Sequence, residues 1–432
     1  MMGLLRKIIP RWAFSMYHRA LSRLAVLWYR HPSEELIVVG VTGTNGKTTT
    51  SYFIAKALEG MGKTGCATTA VMKIGDREWL NDKKMTMLGR FALQKMLREM
   101  VDAGCRIVVI ETSSQGVLQF RHEEIHYDVC VLTNLTPEHL DAHGGFESYK
   151  KAKIELFRHL ATHPQKVVHG RSIERTAVLN ADCPHAKDFV VAGLDRVIWY
   201  GHEQEADVMP RNIQEESWKT IFDVDGAHVT LQLPGLVNVE NALATFGVGR
   251  ALEARVEDVA KRLSDIAGVA GRFERIEEGQ PYTVLIDYAV EPVAMKKLYE
   301  VLKQIPHGRL IHVFGSCGGG RDVARRAELG KLSAHHADVA IITNEDPYDD
   351  DPEQIIREVL AGAREGGMSE DRCFAITDRG QAIEEAIRRA QPGDIVLVTG
   401  KGAEQAMVVK HNKKISWDDR TVAREAIQKM KR

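Results

Sequence analysis

Residues 36–50, Leu-Ile-Val-Val-Gly-Val-Thr-Gly-Thr-Asn-Gly-Lys-Thr-Thr-Thr, decide the fold. The β-branched run Leu36–Val39 predicts a strand buried on both faces, and Ser51–Leu58 follows a helical pattern. A strand, a glycine-rich loop and a helix in this order point backbone N–H groups and a helix N-terminus at a phosphate. The stretch therefore predicts a nucleotide phosphate site.

The loop carries the residue types that such a site needs. Lys47 can reach the terminal phosphates, and the hydroxyl of Thr48 is suited to Mg²⁺. The strict P-loop pattern has glycine where this chain has Val41, so we interpret the loop as a shorter variant. The residues that we predict to contact the nucleotide phosphates are Gly43, Thr44, Asn45, Gly46, Lys47, Thr48 and Thr49.

Composition places the chain among ordinary globular proteins. Its 432 residues favour two or three domains, and a formal net charge of −1 gives no attraction to nucleic acid. The six cysteines are dispersed without a Cys-x-x-Cys pair, which is typical of reduced thiols in the cytoplasm. No apolar run approaches the roughly 20 residues that span a bilayer.

Residues 1–33 form a basic segment with six Lys or Arg residues and no acid. Tyr17, Leu21, Leu24 and Trp28 follow a spacing that places them on one helical face. Such a face either packs on the protein's own body or lies on an anionic membrane. Both interpretations stay open, and the second predicts peripheral contact through residues 4–30 at the inner membrane surface.

Polar residues follow two further predicted strands. Arg106–Ile110 runs into Glu111, and Val129–Thr133 is followed by a stretch that contains His139. The carboxyl ends of neighbouring parallel strands meet at one edge of a sheet, where ligands bind. We therefore expect Glu111 to be a second Mg²⁺ ligand beside the loop. A lone histidine there is more often structural, but His139 together with Asp141 and His143 makes a metal site equally plausible.

The second half of the chain predicts another sheet. Four short apolar strands alternate with helical patterns, and Gly268 and Gly271 indicate a hinge before them. Residues 164–232 alternate in polarity, which favours an antiparallel subsheet. We expect an α/β protein with a basic helix at 1–33, a P-loop ATPase domain with a mostly parallel sheet at 34–268 and a Rossmann-like domain at 269–432.

The order of the motifs resembles the Mur ligases, which are ATP-dependent amide-forming enzymes of peptidoglycan precursor synthesis. It is most similar to the branch that adds the third residue of the stem peptide. The motifs that carry the resemblance are Gly-Thr-Asn-Gly-Lys-Thr-Thr (43–49), Glu-Thr-Ser-Ser (111–114), Thr-Asn-Leu-Thr-Pro-Glu-His-Leu-Asp (133–141), Lys-Ala-Lys (151–153), Leu-Pro-Gly-Leu-Val-Asn-Val-Glu-Asn-Ala (233–242), Gly-Arg-Phe-Glu (271–274), Asp-Tyr-Ala (287–289), Gly-Gly-Gly-Arg-Asp (318–322) and Gly-Lys-Gly-Ala-Glu (400–404).

The resemblance implies that the γ-phosphoryl group of ATP is transferred to a carboxylate, and that an amine then attacks the acyl phosphate. It implies two Mg²⁺ ions, one held by Thr48 and Glu111 and the other by His139 and Lys153, a lysine that is carbamylated in this family. Further contacts that it implies are Lys47 and Arg272 at the phosphates, Asn238 and Asn241 at the adenine and Asp287 at the ribose.

The resemblance also implies an acceptor site, although it departs from the family's pattern. The N-terminal UDP-binding domain of the family is expected to be absent, since about 35 residues precede the loop. We expect the acceptor to be a UDP-muramoyl-peptide or a related carboxylate. The positions that match acceptor contacts are Thr86, Ser113, Gln119 and Arg121.

The positions implied for the amino-acid donor are Asp346, Tyr348, Gly400 and Glu404. Diaminopimelate-adding enzymes of the family carry Asp-Asn-Pro-Arg where this chain has Glu-Asp-Pro-Tyr (345–348), followed by three aspartates. Without that arginine, and with acids alongside, a lysine-like donor is favoured over diaminopimelate on charge grounds. The three aspartates could equally form a solvated helix start.

Three other functions compete with this one. The first is a related ligase with a lipid-linked acceptor, or a polyglutamate or folate-type synthetase. The second is a silent ATP-binding scaffold at the membrane surface, which predicts the loss of catalytic residues that are all present here. The third is a GTPase switch, which the missing Asn-Lys-x-Asp motif disfavours.

Overall fold

The computed structural model describes residues 11–137, 144–320 and 323–431, with side chains from residue 16 onward. These residues form two α/β units, each built around its own sheet. Within the described ranges, no helix combines the length and the apolarity needed to cross a bilayer.

The first unit begins with an N-terminal helix and ends with two helices. Its elements are α1 (Arg11–Trp28), β1 (Ile37–Thr42), α2 (Lys47–Ala57), β2 (Thr64–Ala67), β3 (Val71–Ile74), β4 (Arg77–Leu80), α3 (Arg90–Asp102), β5 (Ile107–Glu111), α4 (Ser114–Leu118), β6 (Val129–Leu132), α5 (Phe146–Thr162), β7 (Lys166–Val168), β8 (Arg171–Ile173), β9 (Thr176–Asn180), β10 (Arg196–Tyr200), β11 (Arg211–Glu215), β12 (Thr220–Val224), β13 (Ala227–Leu231), α6 (Leu236–Ala251) and α7 (Val256–Ser264).

The main sheet of this unit has eight strands in the order β10-β9-β6-β1-β5-β2-β3-β4. All neighbours pair in parallel except β3 with β2 and with β4, which are antiparallel. A three-stranded antiparallel sheet, β11-β12-β13, and the β7–β8 hairpin lie outside it. Apolar side chains from both faces of the main sheet form two buried clusters, which is why its strands read as continuous apolar runs.

The second unit is a smaller sheet covered by helices. Its elements are β14 (Glu274–Ile276), β15 (Thr283–Asp287), α8 (Pro292–Leu302), β16 (Leu310–Phe314), α9 (Ala324–His336), β17 (Val339–Ile342), α10 (Pro352–Glu365), β18 (Cys373–Ala375), α11 (Arg379–Arg389), β19 (Ile395–Thr399), β20 (Ala406–Val409), β21 (Lys413–Ser416) and α12 (Asp419–Met430). The strand order is β14-β15-β19-β16-β17-β18, parallel except for β14. Strands β20 and β21 form a separate hairpin.

The predicted α/β class, the mostly parallel first sheet and the Rossmann-like second sheet are confirmed. The apolar stretch at residues 68–74 could be taken for a single strand, but it is divided between a turn and β3. The hydroxyl of Thr68 accepts a hydrogen bond from Val71 N at 2.8 Å, which closes a turn, and the chain reverses from β2 into the antiparallel β3. The antiparallel prediction for 164–232 holds for β7–β8 and β11–β13, whereas β9 and β10 extend the parallel sheet.

Helix α1 forms where the amphipathic pattern predicts it. The packing interpretation expects its large apolar residues to face the protein's own body, but in the structure most of them face solvent. Ser22, Ala25 and Val26 are buried against the first unit. The opposite side, here called the outer face, is exposed to solvent and consists of Met16, Tyr17, Leu24, Leu27 and Trp28. The small residues therefore make the packing contact, because they let the helix approach the body closely.

Candidate active site

The loop between β1 and α2 is held in shape by the residues that follow β6. Thr44 N donates to Asn134 O at 2.9 Å, Asn45 N donates to Asn134 Oδ1 at 2.9 Å, and Thr133 Oγ1 donates to Asn45 O at 2.6 Å. Gly43 has a φ of 148°, and a Cβ there would lie 1.9 Å from Thr133 Oγ1. The parallel neighbours β1 and β6 thus fix the loop directly at their carboxyl edge.

Helix α2 begins at Lys47, immediately after the loop. Gly46 occupies the N-cap with a φ of 81°, so the first N–H groups of the helix point into the loop. Lys47 Nζ lies on the inner side, where it donates to Thr44 O at 2.7 Å. The loop therefore presents a cation and several backbone donors at one place, as the sequence predicts for a phosphate site.

Thr48 and Glu111 form a buried pair of oxygen ligands. Thr48 Oγ1 donates to Glu111 Oε2 at 2.9 Å, and Glu111 is only 2% exposed. Their proximity follows from the register, which pairs Val41 with Glu111 across β1 and β5. Thr69 holds the same carboxylate with its N–H at 2.7 Å and its hydroxyl at 3.0 Å. Hard oxygen donors of this kind fit Mg²⁺.

Arg272 crosses from the second unit to this pair. Its Nη2 donates to Thr48 Oγ1 at 3.2 Å, and its guanidinium carbon lies 4.3 Å from the ring centre of Tyr288. Stacking and hydrogen bonding fix the guanidinium plane in the manner typical of phosphate-binding arginines. The structure therefore brings Arg272 beside the phosphate loop.

Lys153 reaches the same loop from α5. Its Nζ donates to Gly43 O at 2.6 Å and lies 4.5 Å from the ring centre of Tyr149, and the residue is 1% exposed. Lys153 is therefore a buried residue of the site and not a solvent-exposed lysine on the surface of α5. His139, which the resemblance placed at a second metal ion, lies outside the described residues.

A cavity of about 260 Å³ extends from the phosphate loop between the two units. Asn241 anchors one wall, because its Oδ1 accepts from Thr50 Oγ1 at 3.0 Å and its Nδ2 donates to Asn238 Oδ1 at 3.3 Å. Asp287 lies at the other wall, where its carboxylate accepts from Phe273 N and Ala289 N. Apolar residues that also line the cavity, and that suit a purine ring, are Leu233, Pro234, Val237, Leu298 and Val301.

Three of the residues implied for the acceptor, Ser113, Gln119 and Arg121, lie at the start and end of α4, whereas Thr86 lies before α3 and lines the cavity. Ser113 caps this helix by accepting from Gly116 N at 3.1 Å, and it also lines the cavity. Gln119 Oε1 accepts from Arg121 Nη2 at 2.5 Å, and Gln119 O accepts from Arg90. Burial lowers the pKa of both arginines. Two partly desolvated guanidinium groups in one place favour an anionic ligand.

The four residues implied for the donor line a second cavity of about 120 Å³. Thr69, Thr86, Tyr288 and Val290 line both cavities, so the two adjoin at a common wall. Besides these four shared residues and the four donor residues, the second cavity is lined by Lys84, Met85, Cys317, Arg325 and Glu345.

Lysines from both units hold the acids of this second cavity. Lys84, from the first unit, donates to Asp346 and lies 3.4 Å from Glu404 Oε2, with its side chain 7% exposed. Lys401, from the second unit, lies 3.1 Å from Asp346 and 2.5 Å from Glu404. Burial lowers the pKa of Lys84. Asp346 and Glu404 thus each contact the ammonium groups of two lysines.

The three aspartates after Tyr348 accept hydrogen bonds from backbone N–H groups and do not line the second cavity. Asp351 caps α10 by accepting from Glu353 N at 3.0 Å, and Asp349 accepts from His411 N at 2.7 Å. Asp350 accepts from Gly319 N at 3.2 Å. Of the two interpretations, the solvated helix start is the one that the structure has.

Sequence reasoning missed four residues of the site: Thr69, Lys84, Glu291 and Lys401. Glu291 accepts from Asn45 Nδ2 at 2.9 Å and so joins the phosphate loop to α8. Lys401 stands inside the quoted motif 400–404, so its position was a usable signal. The contacts of Lys84 and Glu291 join residues more than two hundred positions apart, and no local pattern predicts them.

Comparison with known proteins assigns these two units to known domain types. Residues 41–249 match the Mur ligase middle domain, and residues 271–402 match the domain described as Mur ligase, glutamate ligase domain. The chain is 38% identical over 423 residues to a UDP-N-acetylmuramyl-tripeptide synthetase of Roseiflexus sp. (strain RS-1), covering 95% of this chain and 82% of the relative. It is 36% identical to a UDP-N-acetylmuramoyl-L-alanyl-D-glutamate–2,6-diaminopimelate ligase of Geobacillus kaustophilus (strain HTA426), covering 97% and 84%.

Solved structures show the same arrangement. A UDP-N-acetylmuramoyl-L-alanyl-D-glutamate–2,6-diaminopimelate ligase matches with a TM-score of 0.59 and 27% identity over 92% of this chain and 79% of that one. The folylpolyglutamate synthase of Mycobacterium tuberculosis matches with a TM-score of 0.67 and 16% identity over 94% and 93%. The second likeness shows the fold alone.

The tight loop predicts a sharp effect of one methyl group. Gly43→Ala places a Cβ against Thr133 at a backbone angle that disfavours a side chain, which costs on the order of 1–3 kcal/mol. We expect ATP affinity, measured by titration calorimetry, to fall roughly tenfold or more. Gly89→Ala is the matched control, because no atom lies within 4 Å of the added Cβ. Unchanged affinity in the Gly43 variant would contradict the loop's role.

Proposed function

Because the chain belongs to the Mur ligase family, we propose that it joins an amino acid to the carboxylate of a UDP-N-acetylmuramoyl-peptide, or of a related cell-wall precursor, at the expense of ATP. The observation that carries this proposal is the common wall of the two cavities. A phosphate site next to a cavity that receives ammonium groups suits a reaction in which an acyl phosphate meets an amine.

The chain's own residues supply positioning and charge in this reaction. A carboxylate oxygen of the acceptor attacks the γ-phosphorus of ATP as the bond to ADP breaks, and Lys47 and Arg272 offset the charge on the phosphoryl oxygens. The donor amine then attacks the acyl carbon, loses a proton and displaces phosphate. The cleft between the two units keeps water from the acyl phosphate.

Metal binding fits the residues present. Thr48 and Glu111 would hold one Mg²⁺, which supplies further charge neutralisation when bound. For a second ion we propose His139 and a carbamylated Lys153. The buried position of Lys153 at the carbonyl of Gly43 supports this, because a carboxylate formed there would face the phosphate loop.

We propose a lysine-like donor over diaminopimelate. Asp346 and Glu404 already accept an ammonium group, that of Lys84, which enters the cavity from the first unit. A donor with a distal ammonium group finds the same two carboxylates. Tyr348 stands where diaminopimelate-adding enzymes of the family carry an arginine, so a second carboxylate on the donor would find no guanidinium at that position.

For location we propose the cytoplasm, at the inner surface of the membrane. The exposed outer face of α1 supports this proposal.

The reaction is tested by phosphate release from ATP with UDP-N-acetylmuramoyl-L-alanyl-D-glutamate and a panel of amino acids. We expect turnover with lysine and far less with diaminopimelate. Lys153→Ala should lose activity roughly a hundredfold and recover it with short carboxylates such as acetate. Lys151→Ala, exposed on the same helix, is the control and should behave as wild type.

Two results would count against these proposals. Turnover with diaminopimelate but not with lysine would overturn the donor argument. ATP binding without turnover for any donor would mean that the acceptor is a different carboxylate.

The second cavity is here called the donor cavity. A substitution in it should change the KM for the donor amino acid and leave the KM for ATP unchanged. Glu404→Gln removes a charge-assisted hydrogen bond worth about 1.5–3 kcal/mol, so the donor KM should rise roughly tenfold to a hundredfold. The KM for ATP should stay within about twofold, because Glu404 lines only the second cavity. Asp351→Asn, at the exposed helix cap, should change neither constant. An equal rise in both KM values would contradict the assignment.

A further inference from the structure

Helix α1 has two chemically different sides, and one of them is anchored. Ser22 Oγ donates to Phe120 O at 3.1 Å, and Arg19 forms an ion pair with Glu123 at 2.9 Å. Ala25 and Val26, which lie on the same side of the helix, are buried. The helix is therefore held on the first unit by contacts that leave its outer face in solvent.

The outer face is a continuous apolar surface. Its five residues lie within an arc of about 120° on a helix with 100° per residue. They are 57% to 77% exposed, and Trp28 is the most exposed large apolar side chain in the described part of the chain. Phe91 and Leu118, from elements next to the helix, are exposed as well. Soluble proteins rarely expose apolar side chains in such a contiguous group unless the surface binds something.

The charge around this face indicates what it binds. Residues 1–33 contain Arg6, Lys7, Arg11, Arg19, Arg23 and Arg30 and no acid. Arg23 borders the outer face, and its side chain stays 75% exposed beside Glu124. A second copy of the chain would bring like charges together, whereas an anionic lipid surface complements them. An apolar helical face that carries Trp and Leu beside basic residues is the pattern of helices that lie in a membrane interface.

We propose that helix α1 is a docking surface for an anionic lipid bilayer, with its outer face in the acyl boundary and its arginines at the headgroups. The helix contacts Phe120, Glu123 and Glu124, which lie beside Gln119 and Arg121 of the segment that we assign to the acceptor. Docking would thus place the acceptor side of the cleft next to the bilayer. That last consequence, which suits a lipid-linked acceptor, rests on the proposed function, whereas the docking itself does not.

The full chain is tested by co-sedimentation with vesicles of phosphatidylcholine alone and of phosphatidylcholine mixed with phosphatidylglycerol. We expect binding to the mixed vesicles that weakens as salt is raised. Leu24→Glu combined with Trp28→Glu should lower the partition coefficient roughly tenfold or more, because two charges enter the apolar face. Val167→Glu is the matched control, since Val167 is 70% exposed on β7.

Equal binding by the double variant and the control would overturn the proposal, as would equal binding to the two kinds of vesicle. A vesicle-free wild type that sediments as a dimer, and that the double variant converts to a monomer, would also overturn it by showing a protein interface. Phosphate release with a soluble acceptor should be the same in the double variant and the wild type. Failure of that activity in the wild type would contradict the proposed function and leave the vesicle result standing.

Discussion

The hydroxyl of Thr48 joins the two units of the molecule through hydrogen bonds to a residue of each. It donates to Glu111 at 2.9 Å and accepts from Arg272 at 3.2 Å. The first contact follows from the parallel register of β1 and β5 within one sheet. The second exists only because the carboxyl edge of the first sheet faces the segment that opens the second unit. A hydroxyl and a buried carboxylate of the first unit and a guanidinium of the second unit thereby meet at one place.

Other polar contacts also cross between the units, and two of them involve buried carboxylates of the second unit. Asn45 of the phosphate loop donates to Glu291 at the start of α8, and Lys84 reaches Asp346 in the donor cavity. Glu291 and Asp346 are buried, so each carboxylate loses a stabilising partner when the units separate. Separation of the two units would therefore break a contact of the phosphate loop and a contact in the second cavity together.

Local sequence pattern was sufficient to predict the loop between β1 and α2, the position of Glu111 beside it and both mostly parallel sheets. Each depends on neighbours in sequence or on the rule that parallel strand ends share an edge. Pattern was insufficient where partners are distant, since Lys84 and Asp346 lie 262 positions apart.

Helix α1 shows a different limit of sequence reasoning. Its period reveals an apolar face, but the contact with the body is made by the small residues Ser22 and Ala25, which the usual search for large apolar residues passes over. Only the surroundings of a helix decide which side is covered. Asp351 shows the same limit of sequence reasoning, because its role as a helix cap depends on where α10 begins.

The most direct test of this account is to replace Arg272 and to measure chemistry and binding separately. For Arg272→Met we predict a kcat lowered roughly a hundredfold or more, with the affinity for a non-hydrolysable ATP analogue changed by less than about threefold. Arg275→Met, whose arginine stacks on Trp218 away from the phosphate loop, should leave both unchanged. A loss of analogue affinity as large as the loss of kcat, or no loss of kcat, would contradict the claim that the second unit acts on the transferred phosphoryl group.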